Sequence, residues 1–121
     1  MMKAAAYRRS ASEHDLQVQV LKVISLQGRR AYAFAIPNAG TRGPAMANYL
    51  KREGLTAGIA DLCIMLPGGK VGWLELKTAT GRQSAQQSAF ELTCIGLDHP
   101  YALVRSLDEA IAILKQWGAL K

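Results

Sequence analysis

The sequence predicts one α/β domain, in which helices alternate with the strands of a small mixed β-sheet. Helical and strand periodicities follow one another in the order αβαββαβα, which is typical of a sheet covered by helices. The chain has 121 residues, enough for one buried core without disulfides. Half of its residues are hydrophobic and a fifth are charged, as in an ordinary globular protein.

The first half of the chain contains two predicted helices and one strand. Residues 1–11 have no hydrophobic period and are predicted to form a basic N-terminal arm, which leaves 12–121 as the domain. Ser12 is predicted to cap the first helix and Gly28 to end it. The apolar face of this helix is Leu16, Val20, Val23 and Ile24. A strand over 31–36 stops at Pro37, and a brief helix runs from Pro44 to Gly54.

The second half contains the clearest hairpin. Two β-rich runs, 59–66 and 71–78, flank the turn 67–70, whose sequence is Pro-Gly-Gly-Lys. A helix is predicted from Ser84 to Ile95, followed by a strand over 101–105. Ser106 and Glu109 form a predicted capping box at the start of the last helix. Its apolar face is Leu107, Ala110, Ile111, Leu114 and Trp117.

The charge of the chain favours a polyanionic partner. Fifteen Lys and Arg against nine Asp and Glu give a formal net charge of +6, and the isoelectric point is about 9.6. Solubility through net charge is the competing explanation.

No apolar run approaches the roughly 20 residues of a membrane span, and the N-terminus lacks the apolar centre of a signal peptide. We therefore expect a cytoplasmic protein with no membrane partner, in which Cys63 and Cys94 are reduced core thiols.

Three charged side chains mark a candidate catalytic site. Glu75 and Lys77 are two residues apart on a predicted strand, so both side chains leave one face of the sheet. Asp61 interrupts an otherwise apolar strand, where an isolated charge is costly. The three side chains suit phosphodiester hydrolysis, because two carboxylates can bind a divalent cation and an ammonium can neutralise charge on the reacting phosphate. A surface salt bridge of Glu75 with Lys77 is the alternative.

The hairpin register decides whether Asp61 and Glu75 meet. Pairing Leu66 with Val71 would place the two carboxylates on opposite faces. A three-residue loop or bulge at 67–69 shifts the register by one residue and puts Asp61 across from Glu75, about 5 Å apart. Glycine supplies the positive φ that such a loop needs. Because both carboxylates must face one ion in order to hold it, we predict this irregular loop.

Taken together, the ordered motifs resemble the VRR-NUC branch of the PD-(D/E)XK nucleases over residues 13–114. The matching motifs are Glu13-x-x-Leu16-Gln17, Gly58-Ile59-Ala60-Asp61, Pro67-Gly68-Gly69-Lys70, Glu75-Leu76-Lys77, Gly81-Arg82-x-Ser84-x-x-Gln87 and Arg105-Ser106-x-Asp108-Glu109-Ala110. The chain departs from the family at Ala60, where proline is frequent. Proline is not chemically required there.

The resemblance implies a restriction-endonuclease-like αβββαβ core, dependence on Mg²⁺ or Mn²⁺, and DNA as the substrate. Lys77 would be the catalytic lysine, and Gln17 and Gln87 would support the site. The implied metal ligands are Glu13, Asp61, Glu75 and the backbone carbonyl of Leu76. Without the resemblance, Glu13 is an acid favoured by the helix dipole and Gln87 a solvated helix residue.

Four basic residues in loops or at helix ends are candidates for phosphate contacts, which position DNA without reading its sequence. They are Arg42, Lys51, Arg52 and Arg82. Solvated charge is the competing explanation for each. The resemblance further implies a stand-alone homodimeric endonuclease acting on branched or junction DNA. An inactive nucleic-acid-binding module of the same fold, or the same chemistry on RNA, are the alternatives.

Overall fold

The computed structural model describes residues 11–27, 30–37 and 43–121, and within these ranges the elements follow the predicted order. The helices are α1 (Ala11–Leu26), α2 (Pro44–Arg52), α3 (Ala85–Gly96) and α4 (Leu107–Gln116). The strands are β1 (Tyr32–Ala35), β2 (Leu62–Leu66), β3 (Lys70–Leu76) and β4 (Tyr101–Val104). The prediction of an α/β domain is confirmed.

The strands form one mixed sheet in the order β1-β2-β3-β4. β1 with β2, and β2 with β3, are antiparallel, whereas β3 and β4 are parallel. A parallel pair needs a crossover between its strands, and α3 provides it. With α2 inserted between β1 and β2, and α4 added at the end, the remaining elements form the predicted αβββαβ core.

The hydrophobic core lies between one face of the sheet and helices α1 and α4. The buried apolar side chains of this cluster are Leu16, Val20, Ile24, Leu62, Ile64, Leu66, Leu74, Leu76, Val104, Ala110, Leu114, Ala119 and Leu120. The strand residues among them recur at every second position, as a half-buried sheet requires. Helix α3 packs on the opposite face, where Phe90 meets Trp73 edge-on with ring centroids 5.2 Å apart. Trp73, which is half-buried, therefore packs against α3.

Several predicted boundaries are corrected. Helix α1 begins at Ala11, so Ser12 lies inside the first turn and is not its N-cap. Strand β2 begins at Leu62 and not at 59, because its partner β1 reaches only Ala35. Ala11, the last residue of the arm predicted over 1–11, is helical. Residues 1–10 of that arm, and the predicted helix end at Gly28, lie outside the described residues.

Strand β3 covers 70–76, so Lys77 and Thr78 follow the strand instead of ending it. The amide of Lys77 still donates to the carbonyl of Val104 at 3.0 Å, which continues the contact with β4 by one residue. The side chain of Lys77 consequently stays beside that of Glu75.

The two serine caps differ. Ser84 forms a complete capping box with Gln87 at the start of α3. The capping box predicted for Ser106 is only half formed. The Ser106 hydroxyl accepts a hydrogen bond from the amide of Glu109 at 3.1 Å, as a capping box requires. The Glu109 carboxylate, however, accepts from the amide of Arg105 at 2.7 Å and not from that of Ser106. The Glu109 side chain thus reaches one residue further back than a capping box requires.

Two further expectations concern composition. Cys63 and Cys94 are buried free thiols, as predicted, and burial raises the pKa of both. Across the residues that the structure describes, no helix has the length and apolarity that a membrane crossing requires.

Candidate active site

The β2–β3 hairpin has the predicted register. Leu66 pairs with Lys70 and Leu62 with Leu74, which leaves a three-residue loop at 67–69. Gly68 and Gly69 adopt φ of 82° and 76°, values that glycine accommodates without strain. Continued by one residue, the same register places Asp61 opposite Glu75. The predicted loop is confirmed, and it brings the two carboxylates to one face of the sheet.

Glu75 is buried, with only 1% of its surface exposed. Its Oε2 accepts a hydrogen bond from Nε2 of Gln87 at 2.9 Å, and the Nζ of Lys77 lies 3.8 Å from the same oxygen. Removing a carboxylate from water is costly unless hydrogen bonds and opposite charge compensate. The amide and the ammonium supply that compensation at Oε2, so this oxygen of Glu75 is held at a defined place in the site.

Asp61 is held by backbone contacts at the start of β2. Its Oδ2 accepts from the amide of Leu76 at 2.7 Å, and its carbonyl accepts from the amide of Ile36 at 2.9 Å. Short bonds from an amide to a carboxylate are among the stronger protein hydrogen bonds. Asp61 is therefore tied to both neighbouring strands, next to the residue that separates Glu75 from Lys77.

Helix α1 brings Glu13 to the same end of the sheet. Oε2 of Glu13 accepts from the amide of Thr78 at 3.4 Å, across 65 positions of sequence. Gln17, one helical turn further on, lines the same cleft. The structure thus gathers the predicted residues Glu13, Gln17, Asp61 and Lys77 around Glu75.

The predicted three-carboxylate metal cluster is not preformed. Among the residues that can be described, no three His, Cys, Asp or Glu side chains are close enough together to hold a metal ion. Glu13 is engaged with Thr78 and Asp61 with Leu76. The donor set that lines the cleft still includes the hard oxygen atoms of Asp61 and Glu75. Two carboxylates suit Mg²⁺, which commonly keeps several waters and takes one or two protein carboxylates.

These side chains line an open cleft of about 1310 Å³. The lining of this cleft also includes Gln17, two residues of α2 (Ala47 and Lys51) and the segment 54–59. Gly58 has φ of 84° and stands so close to helix α3 that a Cβ there would lie 2.6 Å from the carbonyl oxygen of Gln86. Only glycine therefore allows this segment to close against α3.

The predicted phosphate-binding residues are only partly gathered at this cleft. Lys51 lines it. Arg52 and Arg82 are exposed but are not among the residues that line it. Arg42 lies outside the described residues. His14 and His99 are both exposed.

The contacts of Arg105 and the double role of Gln87 were not predicted from the sequence. Nη1 of Arg105 donates to the carbonyls of Thr78 at 2.8 Å and Gly81 at 2.6 Å, which anchors the segment after Lys77. The sequence spacing does not predict this contact, because Arg105 lies 27 residues after Thr78 and 24 after Gly81. The dual role of Gln87 had a signal, since Ser84-x-x-Gln87 is the pattern of a capping box.

A second polar network lies beside Glu75, on the face of the sheet that α3 covers. Nε2 of Gln83 donates to Oε1 of Glu91 at 2.9 Å and to the hydroxyl of Tyr101 at 3.0 Å. Burial, followed by the charge of Glu75, raises the pKa of the Tyr101 hydroxyl far above its ordinary range. Tyr101 therefore remains a neutral phenol beside the carboxylate site.

Comparison with known proteins decides the fold. A solved chain named "VRR_NUC domain" superposes with a TM-score of 0.65 at 15% identity, covering 89% of this chain and 99% of its own. The chain has the VRR_NUC fold. A second solved chain, "VRR_NUC domain protein", has a TM-score of 0.62 and 17% identity, with coverage of 91% and 90%. No family model and no curated protein matches the sequence. The VRR_NUC fold, with its restriction-endonuclease-like α/β core, is the one that the motifs predicted.

Proposed function

We propose that this protein is a metal-dependent nuclease that hydrolyses phosphodiester bonds in DNA. The observation that carries the proposal is the convergence of Asp61, Glu75 and Lys77 in the cleft at one end of the sheet. The VRR_NUC fold supports it, because the solved neighbours carry the name of a nuclease domain. The net charge of +6 suits a polyanionic substrate.

Asp61 and Glu75 are the proposed ligands of Mg²⁺ or Mn²⁺, with Glu13 and the Leu76 carbonyl as further candidates. A bound cation of this kind polarises a phosphoryl oxygen and acidifies water. The protein residues have separate tasks. Gln87 and Lys77 hold the Glu75 carboxylate in place. The Lys77 ammonium also places positive charge where a reacting phosphate gains negative charge.

The substrate preference and assembly are finer parts of the proposal. We propose branched or junction DNA as the substrate, and a homodimer that presents two clefts to two strands. Both come from the resemblance to the VRR-NUC family. Cleavage of a panel of junctions, flaps and linear duplexes tests the first, and light scattering of the purified protein tests the second.

The experiment that tests hydrolysis is cleavage of plasmid and synthetic junctions with Mg²⁺ or Mn²⁺, against EDTA. Asp61→Asn, Glu75→Gln and Lys77→Ala are expected to lower the rate on the order of a hundredfold or more, the loss typical for removal of a group that stabilises transition-state charge. Asp108→Asn and Lys115→Ala are matched controls, since both change exposed residues of α4 outside the cleft.

Two results would overturn the proposal. If the wild-type protein binds DNA with a steep salt dependence but cleaves none, the protein is a binding module of the same fold. If RNA is cut and DNA is not, the chemistry stands but the substrate is wrong.

A further inference from the structure

The sheet face that carries the candidate site is only partly covered by the described residues. Helix α3 packs over β3 and β4, where Phe90 contacts Trp73 and Tyr101. On β1 and the adjoining part of β2 the same face is open. Tyr32 is 66% exposed, Phe34 40% and Met65 51%. We call these three residues the aromatic face.

The register connects the aromatic face to the carboxylate pair. Tyr32 pairs with Met65 and Phe34 with Cys63, and residues directly across from each other share a face of the sheet. The next residue of β2 on that face is Asp61, opposite Glu75. Phe34 pairs with Cys63, and Asp61 lies two residues before Cys63 in the chain. Since a strand rises about 3.3 Å per residue, Asp61 lies about 7 Å along the strand from the position opposite Phe34. The aromatic face therefore leads directly to the candidate site.

The side chains on and beside the aromatic face indicate what kind of ligand it binds. Tyr32 and Phe34 lie with ring centroids 6.3 Å apart, tilted by 40°. Exposed Arg30 precedes the strand and lines a groove together with Tyr32. Aromatic rings beside positive charge are the features that bind the bases and backbone of unpaired nucleic acid. The formal net charge of +6 likewise suits an anionic occupant.

We propose that Tyr32 and Phe34 form a stacking platform for unpaired bases, and that a single-stranded segment lying on it enters the site at Asp61 and Glu75. This inference rests on the proposed function and names its substrate class. Substrates with a single-stranded arm beside the scissile phosphate are bound through base stacking, which tolerates any base sequence.

The test measures binding without cleavage. Fluorescence anisotropy in EDTA compares oligothymidylate, oligouridylate and a blunt duplex on the wild-type protein and on Tyr32→Leu, Phe34→Leu and the double variant. Leucine keeps an apolar surface but removes the ring. Each single variant is expected to weaken single-strand binding about fivefold or more, the loss typical for one stacked base, with duplex binding nearly unchanged. Tyr32→Phe is expected to restore binding, and Tyr49→Leu is the control for an exposed tyrosine elsewhere.

A second readout locates the bases. Photocrosslinking of bromodeoxyuridine oligonucleotides, followed by mass spectrometry, is expected to modify Tyr32 or Phe34. If the double variant does not fold, as judged by circular dichroism, the two single variants and the crosslink sites decide the matter. Equal loss of single-strand and duplex binding overturns the proposal, as do crosslinks confined to other residues.

Two other outcomes separate the alternatives. A leucine variant that turns a dimer into a monomer, with single-strand affinity intact, assigns the aromatic face to a second copy and overturns the platform. Absence of cleavage by the wild-type protein with any metal overturns the hydrolysis proposal alone, because the binding in EDTA is measured without metal.

Discussion

At the scale of single residues, the candidate site depends on how Glu75 is held. Its carboxylate is almost fully buried, and the side chains that meet Oε2 are Gln87 and Lys77. Gln87 also accepts from the amide of Ser84 at 2.8 Å, so one side chain starts helix α3 and orients the carboxylate. Helix position and carboxylate geometry are consequently coupled through one amide group.

Gln87→Ala and Ser84→Ala separate these two roles. Both remove part of the capping box, and loss of a serine cap costs about 1 kcal/mol of stability. Only Gln87→Ala removes the donor to Glu75, and loss of an outer partner of a metal ligand lowers activity about tenfold to a hundredfold. Cleavage rates and urea midpoints of both variants test this. Equal cleavage rates in the two variants would contradict an orienting role for Gln87.

Tyr101 gives a prediction for pH dependence. The fold raises the pKa of this hydroxyl above the unfolded value of about 10, so on raising the pH the unfolded chain loses its proton first. The free energy of unfolding should therefore fall as the pH rises above about 10, the pKa of tyrosine in the unfolded chain. Tyr101→Phe should reduce this fall. Urea unfolding on both sides of the tyrosine pKa checks this, with exposed Tyr49→Phe as the control. Parallel curves for wild type and Tyr101→Phe would rule it out.

At the scale of elements, strand β3 and the end of α4 meet with almost no space between them. A Cβ at Gly72 would lie 2.6 Å from the ring of Trp117, whereas nothing lies within 4 Å of a Cβ at Gly96, the last residue of α3. Glycine at 72 therefore allows the tryptophan to lie directly on the strand. This contact closes the core on the side away from the site.

Gly72→Ala is accordingly expected to destabilise the fold by about 1–3 kcal/mol, the usual cost of forcing extra volume into a packed core. Gly96→Ala should be neutral or slightly stabilising, since alanine favours a helix by up to about 1 kcal/mol. Thermal or urea unfolding of the pair measures the difference. A Gly72→Ala variant as stable as Gly96→Ala would show that Trp117 moves aside at little cost.

At the scale of the whole molecule, the positive charge is expected to govern encounter with DNA. Lys51 lines the cleft, and Arg82 is exposed on the segment that precedes α3. Phosphate contacts release counterions, so affinity falls as salt rises. The affinity of this chain should therefore depend on salt more steeply than that of a neutral protein of the same fold.

Lys51→Ala and Arg82→Ala are each expected to weaken DNA binding on all sequences and to lower the slope of log affinity against log salt by about one. Lys115→Ala, an exposed lysine in the last turn of α4, is the matched control. Anisotropy titrations over a range of salt concentrations measure the slopes. If all three variants show the wild-type slope, the two residues are solvated charges and not phosphate contacts.

The sequence by itself determined the order of the elements, the three-residue hairpin loop and the meeting of Asp61 with Glu75. The order of the elements follows from periodicity over neighbouring residues, whereas the hairpin register follows from the requirement that Asp61 and Glu75 face one ion, which the two turn glycines allow. Only the tertiary structure decided the bond from Glu13 to Thr78, the anchoring of the segment 78–81 by Arg105 and the exposure of Tyr32 and Phe34. Each of these depends on which surfaces α1, α3 and the sheet present to one another, and local sequence patterns do not specify that packing.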